Sequence, residues 1–332
     1  MPRLADRIIE ILYDRQGQSV WRDELLHVHS SSSRGPGGSG SGTSERAVEA
    51  ALEELAQRGH RIEQTPSGLR LAWPTVLDAH LIERNLPARR IGKHVICFGE
   101  VGSTSDVAFD AAVKASPGEA MVVTAESQKA GRGRLGRKWV SPAGSGILCS
   151  IALAGCRAAH EPLTIAAGLA VAQGVEDAGG VHTELEWPND VACDGAKLAG
   201  VLVEVRQLLG RGVVVIGLGV NVSAAPPAKS VGRKTTCLAE CGGRTTDRIA
   251  VLRAILVRMD YWLTQIESGD VASLHEQWLP RCGMMHQRIT IECAGQRITG
   301  RVADVNPLQG LVVVDDAGKN HVLPASSSSV VR

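Results

Sequence analysis

Five apolar runs of seven to ten residues dominate the middle of this 332-residue chain. They are VICFGEV (95–101), AMVVTAE (120–126), GILCSIAL (146–153), LAGVLVEV (198–205) and VVVIGLGVNV (213–222). Short runs of this kind, rich in β-branched residues, predict buried strands. Helical segments are predicted near 104–116, 163–178 and 247–267. The alternation predicts a body over residues 76–280 in which helices pack on a large β-sheet.

The two ends of the chain carry different patterns. Residues 1–75 predict three helices and then a hairpin around Pro66-Ser67-Gly68, which is the order of a winged-helix domain. The apolar stripes of the helices are Leu4, Ile8, Ile9 and Leu12, then Trp21, Leu25 and Leu26, then Val48, Leu52 and Leu55. A flexible Ser/Gly tract at 30–44 interrupts this domain, and Thr43 or Ser44 can cap the third helix. Residues 281–332 hold the short strands RITIEC, ITGRVADV and GLVVVD and predict a small β-barrel.

Composition narrows the class of protein. The 36 Lys and Arg balance the 35 Asp and Glu, which argues against a globally basic nucleic-acid-binding coat. Aromatic residues make up only 3%, so a platform for stacking bases is not expected. The eight cysteines form no C-x-x-C pair, which is typical of a reducing compartment. No signal peptide and no apolar run of ~20 residues is found, so a soluble cytoplasmic protein without membrane contact is predicted.

The strongest local signal is GRGRLGRKW at residues 131–139. Glycines let backbone N–H groups approach a ligand closely. Arg132, Arg134, Arg137 and Lys138 add cations that suit phosphate or carboxylate. The stretch therefore predicts an anion-binding loop, and a solvated basic loop is the alternative.

A dinucleotide-binding turn is the other interpretation of these glycines, because they match G-x-G-x-x-G. That motif needs a helix starting within it and an acidic residue ~20 positions later. The sequence RKWVSPAGSG cannot begin a helix, and no acidic residue lies between Glu126 and Glu161. The context therefore excludes a Rossmann site, and no Gly-Lys-Ser/Thr of a P-loop is present.

Three further stretches place polar residues beside apolar strands. Trp187-Pro188-Asn189-Asp190 is typical of a plain turn, but Lys197 after it begins an apolar strand, where its ammonium would face the arginine loop. Asn221 ends the apolar run that contains Gly217, and its amide suits an adenine edge, although such glycines also serve close strand packing. Ser103-Thr104-Ser105-Asp106 resembles an ordinary helix cap.

Taken together and in this order, GRGRLGRKW, WPND, KLAGVLVE and IGLGVN resemble the biotin–protein ligases. With the flanking domains the chain is similar to the bifunctional type, which is both ligase and biotin operon repressor. The resemblance implies an α+β fold, with a central mixed β-sheet related to class II aminoacyl-tRNA synthetases and an SH3-like C-terminal barrel. It also implies activation of biotin by ATP, accompanied by Mg²⁺, to biotinyl-5'-AMP. The biotinyl group would then pass to a lysine of a biotin carboxyl carrier protein, such as the acetyl-CoA carboxylase subunit.

The same resemblance implies roles for individual residues, with no metal ligand assigned. The catalytic groups would be Lys197, Arg132 and Arg134. Biotin would be held by Ser103, Thr104, Ser105, Gln128, Arg132, Gly133, Arg134, Lys197, Gly200 and Gly217. ATP and the adenylate would be held by Arg134, Arg137, Trp139, Asn189, Asp190, Lys197 and Asn221.

Four positions depart from the family pattern. Ser105 stands where Asn is usual, which shortens one biotin contact. Glu186 stands where Lys usually precedes Trp-Pro-Asn-Asp, which puts triphosphate contacts there in doubt. Leu135 replaces a residue that is often basic. The segment 229–237 lacks the aromatic residue that can stack on adenine, so a looser nucleotide lid is expected.

The sequence leaves the repressor half open. Residues 1–75 carry nine Arg against ten Asp and Glu, and four of the acids, Glu45, Glu49, Glu53 and Glu54, lie in the third helix. DNA affinity depends on neutralising phosphates, so this face argues against strong operator binding. The alternatives are a regulator that uses biotinyl-AMP mainly as corepressor, and a lipoate ligase, which would share the sheet but not the arginine loop. A homodimer is also left open.

Overall fold

The computed structural model describes residues 3–27, 45–156, 158–208 and 211–331. The Ser/Gly tract at 30–44, with its caps Thr43 and Ser44, lies outside the described residues. The chain divides into two compact units, Met1–Arg84 and Asn85–Arg332.

The first unit contains four helices and one hairpin among its described residues. The helices are α1 (Leu4–Asp14), α2 (Arg22–Leu26), α3 (Glu45–Gln57) and α4 (Ala79–Glu83), and the antiparallel hairpin is β1 (Ile62–Thr65) with β2 (Gly68–Leu71). The three predicted helices and the hairpin are therefore confirmed. In α3, Val48, Ala51 and Leu55 are buried, whereas the predicted Leu52 is only half-buried. Trp21 precedes α2 and is exposed.

The second unit is built on a seven-stranded sheet with the order β3-β4-β5-β9-β8-β7-β6. These strands are β3 (Val95–Val101), β4 (Ala120–Gln128), β5 (Gly146–Ala154), β6 (Glu184–Glu186), β7 (Asp190–Cys193), β8 (Ala196–Leu208) and β9 (Arg211–Asn221). Only β3 and β4 pair in parallel, and the other neighbours are antiparallel. The predicted mixed sheet is confirmed.

Helices cover this sheet. They are α5 (Thr104–Lys114), α6 (His160–Gly179), α7 (Ala228–Val231), α8 (Arg248–Ser268) and α9 (Val271–Trp278). Helix α6 is buried along most of its length and packs against α8. A Cβ atom at Gly174 would come within 2.6 Å of the backbone of Ile255, so glycine is what allows these two helices to approach so closely.

Two short strands were not predicted. Trp187-Pro188-Asn189 forms a turn, as the sequence indicated, but β6 and β7 lie on either side of it and extend the sheet by a hairpin. Strands of three and four residues are too short to show an alternating pattern. The consequence is that Glu186 and Asp190 lie directly opposite each other across the hairpin.

The C-terminal part of the unit is a five-stranded antiparallel sheet. It contains β10 (Arg288–Cys293), β11 (Gln296–Asn306), β12 (Gly310–Val314), β13 (Asn320–Leu323) and β14 (Ser328–Val330), in the order β13-β12-β11-β10-β14. The three strands predicted there are confirmed as β10, β11 and β12. Ile291, Val302, Val305 and Leu311 form part of its buried core.

Candidate functional site

A cavity of about 610 Å³ opens on the large sheet of the second unit. Its walls come from the start of α5, from β4, β5, β8 and β9, from the loop 131–140, from residues 226–235 and from the end of β14. All the predicted site residues line it: Ser103, Thr104, Ser105, Gln128, Arg132, Gly133, Arg134, Arg137, Trp139, Asn189, Asp190, Lys197, Gly200, Gly217 and Asn221. The structure thus brings together residues that lie more than a hundred positions apart in the sequence.

A buried hydroxyl network forms one end of the cavity. Thr104 donates its backbone N–H and its hydroxyl to Gln128 Oε1, over 2.7 and 3.1 Å. Ser150 Oγ lies 2.8 Å from Thr104 Oγ1 and 3.1 Å from Ser105 Oγ. Hydroxyls can donate or accept, so this end can adapt to a neutral polar group such as a urea. Ser150 was missed by sequence reasoning, although it stands out as a hydroxyl within the apolar run of β5.

Small residues keep this end open. Ser103 and Ser105 are buried at the start of α5. A Cβ atom at Gly217 on β9 would lie 3.3 Å from Ser105 Oγ, which is tighter than an ordinary contact. Gly217 therefore leaves room for the Ser105 hydroxyl to face the cavity, and the shorter Ser105 still reaches the network through Ser150.

Arg132 forms a bidentate ion pair in the middle of the cavity wall. Its Nη1 and Nη2 each donate to Asp106 over 2.7 Å, and Arg206 donates to the same carboxylate over 2.8 Å. The two guanidinium groups hold the pKa of Asp106 at about 2, against an ordinary value of 3.8. The Asp106 carboxylate raises the pKa of Arg132 in turn. The loop arginine is thus already matched to a carboxylate, which sequence reasoning had treated as part of a helix cap.

Arg134 joins the loop to the C-terminal sheet. Its Nη2 donates to the carbonyl oxygens of Ala325 and Ser328, the latter over 3.0 Å. Burial lowers the pKa of Arg134. Glu161 accepts the backbone N–H of Ala325 over 2.7 Å, and Trp187 Nε1 donates to Ser328 Oγ over 2.8 Å. The C-terminal segment is therefore part of the site, and no local signal in the sequence indicated it.

The loop itself is a short irregular turn. A 3₁₀ turn spans Arg134–Gly136, and Leu135 within it has φ of 53°, an uncommon conformation for a residue with a side chain. Gly133 donates its N–H to the carbonyl of Arg137 over 2.7 Å. No α-helix begins in the loop, which agrees with the exclusion of a dinucleotide-binding turn. Leu135 is 61% exposed, so its replacement of a basic residue costs no packing.

Lys197 lies at the centre of the cation cluster. Its Nζ is 2.7 Å from Asp190 Oδ1 and 5.3 Å from the ring centroid of Trp139. The Trp139 ring covers the glycines of β8 and β9, since Cβ atoms at Gly200 and Gly219 would come within 3.0 and 2.2 Å of it. These glycines therefore make the space for the indole beside Lys197.

Two polar atoms on this side of the cavity are buried without a hydrogen-bond partner among the described residues. They are Trp139 Nε1 and Asn221 Oδ1. Asn221 uses its Nδ2 to donate to the carbonyl of Thr236 over 3.0 Å, and Asn189 donates to the carbonyl of Val201. Unsatisfied buried polar atoms are uncommon in folded proteins, so these two point to a bound group that would pair with them.

Arg233 is a cavity residue that sequence reasoning missed. Its Nη1 lies 2.8 Å from Glu186 Oε2 and 3.1 Å from Asp190 Oδ2. The segment 229–237 indeed contributes no aromatic ring, but it contributes this guanidinium instead. The negative charge at Glu186 is thus matched by a cation from a different part of the chain. Among the described residues, no group of three or more His, Cys, Asp or Glu side chains could hold a metal ion.

Comparisons with known proteins agree with this geometry. The model of the biotin/lipoate A/B protein ligase family matches residues 99–221. The bifunctional ligase/repressor BirA of Bacillus subtilis is 34% identical over 223 residues, which cover 65% of this chain and 68% of that protein. The biotin–[acetyl-CoA-carboxylase] ligase of Mycobacterium tuberculosis is 32% identical over 260 residues, covering 74% of this chain and 94% of that protein.

A solved structure gives the same result in three dimensions. The biotin protein ligase of Aquifex aeolicus, in complex with biotin and ATP, matches with a TM-score of 0.63 at 26% identity. The match covers 72% of this chain and 99% of that one. None of the described helices of this chain is long and apolar enough to span a membrane. The chain belongs to the biotin protein ligase family.

Proposed function

We propose that this protein is a biotin–protein ligase that makes biotinyl-5'-AMP from biotin and ATP and transfers the biotinyl group to a carrier lysine. The observation that carries the proposal is the combination of groups within one cavity. A neutral hydroxyl network, the orphaned polar atoms of Trp139 and Asn221, and the ammonium of Lys197 all line it.

The hydroxyl network would bind the ureido ring of biotin. Ser105, Thr104 and Gln128 offer donors and acceptors without charge, as a urea requires. The valeryl chain would then run toward Arg132 and Lys197, where its carboxylate meets cations. Trp139 and Asn221 would hold the adenine, because the orphaned N–H and the orphaned carbonyl oxygen match a ring with both acceptors and donors.

In the first step a biotin carboxylate oxygen would attack the α-phosphorus of ATP. A bond forms between that oxygen and phosphorus, and the bond to the β-phosphate oxygen breaks and releases pyrophosphate. Two anions approach each other in this step, so preorganised cations are what lowers the barrier. Lys197 would neutralise the carboxylate and the α-phosphate together, with Arg132 and Arg134 supplying the remaining charge.

In the second step the amine of a carrier lysine would attack the acyl carbon of the mixed anhydride. An amide forms and AMP leaves. The anhydride must be kept from water until then, which a loop covering the cavity achieves. The link from Arg134 to the C-terminal segment provides such a cover. The carrier would be a subunit of acetyl-CoA carboxylase, the substrate named for the mycobacterial relative.

Magnesium would enter the cavity with the substrate, as MgATP. Mg²⁺ is usually held by one or two carboxylates together with phosphates. Asp190 lines the cavity and Glu186 lies opposite it across the hairpin, but both carboxylates are paired with Lys197 or Arg233. The described residues therefore do not form a protein-held magnesium site.

The test is transfer to a purified carrier domain in the presence of ATP. With biotin, the carrier should gain the mass of one biotinyl group at a single lysine. With lipoate in place of biotin, no gain is expected, because the hydroxyl network has no urea to bind in lipoate. Transfer of lipoate but not biotin would overturn the assignment in favour of a lipoate ligase.

A second function, transcriptional repression, is favoured by two observations. The BirA of B. subtilis is a ligase/repressor, and the described elements of the first unit follow the winged-helix order. We propose a winged-helix domain at 1–75, a catalytic domain at 76–280 and an SH3-like domain at 281–332. DNA binding by the first of these should be weak, since Arg70 and Arg22 pair with Glu63 and Glu49.

A gel shift with competitor DNA tests this proposal. Weak, salt-sensitive and non-specific binding is expected, and deletion of residues 1–75 should abolish it while the cavity residues are kept. Tight biotin-dependent binding to a single operator at physiological salt would contradict the expectation of weak binding. It would mean that Arg70 of the hairpin releases Glu63 and binds a DNA phosphate instead.

A further inference from the structure

Arg233 lines the cavity and, with its carboxylate partners Glu186 and Asp190, forms one arm of it. Across the sheet, Ser150 lies on β5, Gly217 on β9, Lys197 on β8 and Asp190 on β7. Glu186, the partner of Arg233, lies on β6 at the edge of the sheet. Lys197 Nζ lies 2.7 Å from Asp190 Oδ1 and Arg233 Nη1 lies 3.1 Å from Asp190 Oδ2, so the two cations are neighbours on one carboxylate.

The backbone fixes Arg233 relative to Lys197. Lys197 donates its N–H to the carbonyl of Lys234 over 3.0 Å and accepts the N–H of Thr236 over 2.9 Å. Thr235 between them donates its hydroxyl to the carbonyl of Pro226 over 2.6 Å. The backbone directly after Arg233 therefore pairs with β8 at Lys197. This pairing fixes the position of Arg233 relative to Lys197.

The side chain is also held in place. Arg233 is only 13% exposed, and Nη1 alone makes both of its contacts with Glu186 and Asp190. A guanidinium carries five N–H donors, and these two carboxylates contact only Nη1, so they do not occupy the donors on Nε and Nη2. Without Arg233, Asp190 would keep Lys197 as a partner but Glu186 would lose this cation, so the arm would become more negative and less favourable for phosphate. With it, the arm presents a fixed donor group and no uncompensated negative charge.

We infer that Arg233 binds the β- and γ-phosphates of ATP, and therefore the departing pyrophosphate, and that Glu186 positions Arg233 for this contact. The inference rests on the proposed ligase function. Glu186, which stands before Trp-Pro-Asn-Asp, thus holds Arg233, a cation from the loop that follows β9. The nucleoside part of ATP does not contact Arg233 in this arrangement.

The experiment measures binding of two probes, inorganic pyrophosphate and AMP, by calorimetry on the full chain. Arg233→Ala should weaken pyrophosphate binding at least tenfold and change AMP binding less than twofold. Glu186→Gln should weaken pyrophosphate binding by a smaller factor, and Arg233→Lys should restore part of it. Lys234→Ala is the matched control, because it removes an exposed cation from the neighbouring position outside the cavity, and it should leave both affinities unchanged.

Kinetics give a second readout that a merely structural role would not produce. Arg233→Ala should raise the KM for ATP at least tenfold, while transfer of the biotinyl group from supplied biotinyl-AMP to the carrier stays within twofold. The double variant Arg233→Ala with Glu186→Lys places a new cation in the same arm, now from β6. Its KM for ATP should be lower than that of Arg233→Ala alone.

Three results would overturn the inference. One is a wild-type protein that does not bind pyrophosphate, whether or not it proves to be a ligase. Another is an Arg233→Ala variant that binds pyrophosphate normally. The third is an equal loss of AMP and pyrophosphate binding in that variant, which would place Arg233 against the nucleoside. Failure of the ligase proposal alone would instead appear as normal pyrophosphate binding without biotin-dependent chemistry.

Discussion

Replacing Lys197 by alanine removes the central cation of the cavity while leaving its walls intact. Lys197 Nζ is 2.7 Å from Asp190, and both side chains are 16% exposed, so the pair is partly screened from water. At an effective dielectric constant of about 20, a cation ~4 Å from a phosphate or carboxylate contributes at most ~4 kcal/mol. Since ~1.4 kcal/mol corresponds to a factor of ten, adenylate formation should slow by about 10²–10³-fold.

The variant should remain folded, because Arg233 still pairs with the Asp190 carboxylate. We expect a loss of no more than ~1–2 kcal/mol in the free energy of unfolding. The assay is rapid-quench measurement of pyrophosphate release in one turnover, with Lys114→Ala as a control that removes a lysine outside the cavity. A folded Lys197→Ala variant that releases pyrophosphate within threefold of the wild-type rate would refute the role given to Lys197.

Three other predictions follow from single contacts. Arg134→Gly breaks the link between the loop and the C-terminal carbonyls, so biotinyl-AMP should appear in the filtrate when no carrier is present; retention equal to wild type would contradict this. Gly219→Ala places a Cβ 2.2 Å from the Trp139 ring, so it should displace the indole. It should destabilise the fold by about 1–3 kcal/mol and raise the KM for ATP, and an unchanged indole fluorescence would argue against the displacement. The pKa of Asp106 is lowered to about 2, so its pairing with Arg132 stabilises the fold above pH ~4 and is lost as the pH falls toward 2. Because Asp106 is half exposed, the effect should not exceed ~1 kcal/mol, and Asp106→Asn should flatten that part of the unfolding profile.

The large elements could be predicted because each carries its own local pattern. Strand β5 is buried on both faces, so its sequence is a continuous apolar run. The glycine and arginine loop could also be recognised, since glycines interleaved with cations are typical of a loop that binds an anion. The fifteen residues predicted for the site all line the cavity, because they lie within motifs that have a characteristic order of residue types.

The remaining parts of the site depend on contacts between distant positions. Arg233 meets Glu186 only because the loop after β9 folds back on the β6–β7 hairpin, and neither residue has a local pattern that predicts the pair. The contact of Arg134 with the C-terminal segment spans 194 residues. Asp106 was predicted as a helix residue, which it is, but its two arginine partners come from the loop and from β8. Pairing across such distances is decided by tertiary structure.

A crystal structure of the protein with a non-hydrolysable sulfamoyl analogue of biotinyl-AMP tests the central claim most directly. The account predicts the ureido ring against Thr104, Ser105 and Ser150, the linking sulfamoyl group within hydrogen-bond distance of Lys197 Nζ, and the adenine against Trp139 and Asn221. The arm that contains Arg233 should be left without ligand atoms, because the analogue has no outer phosphates. A structure with the adenine in the Arg233 arm, or with the biotinyl group outside the cavity, would contradict the account.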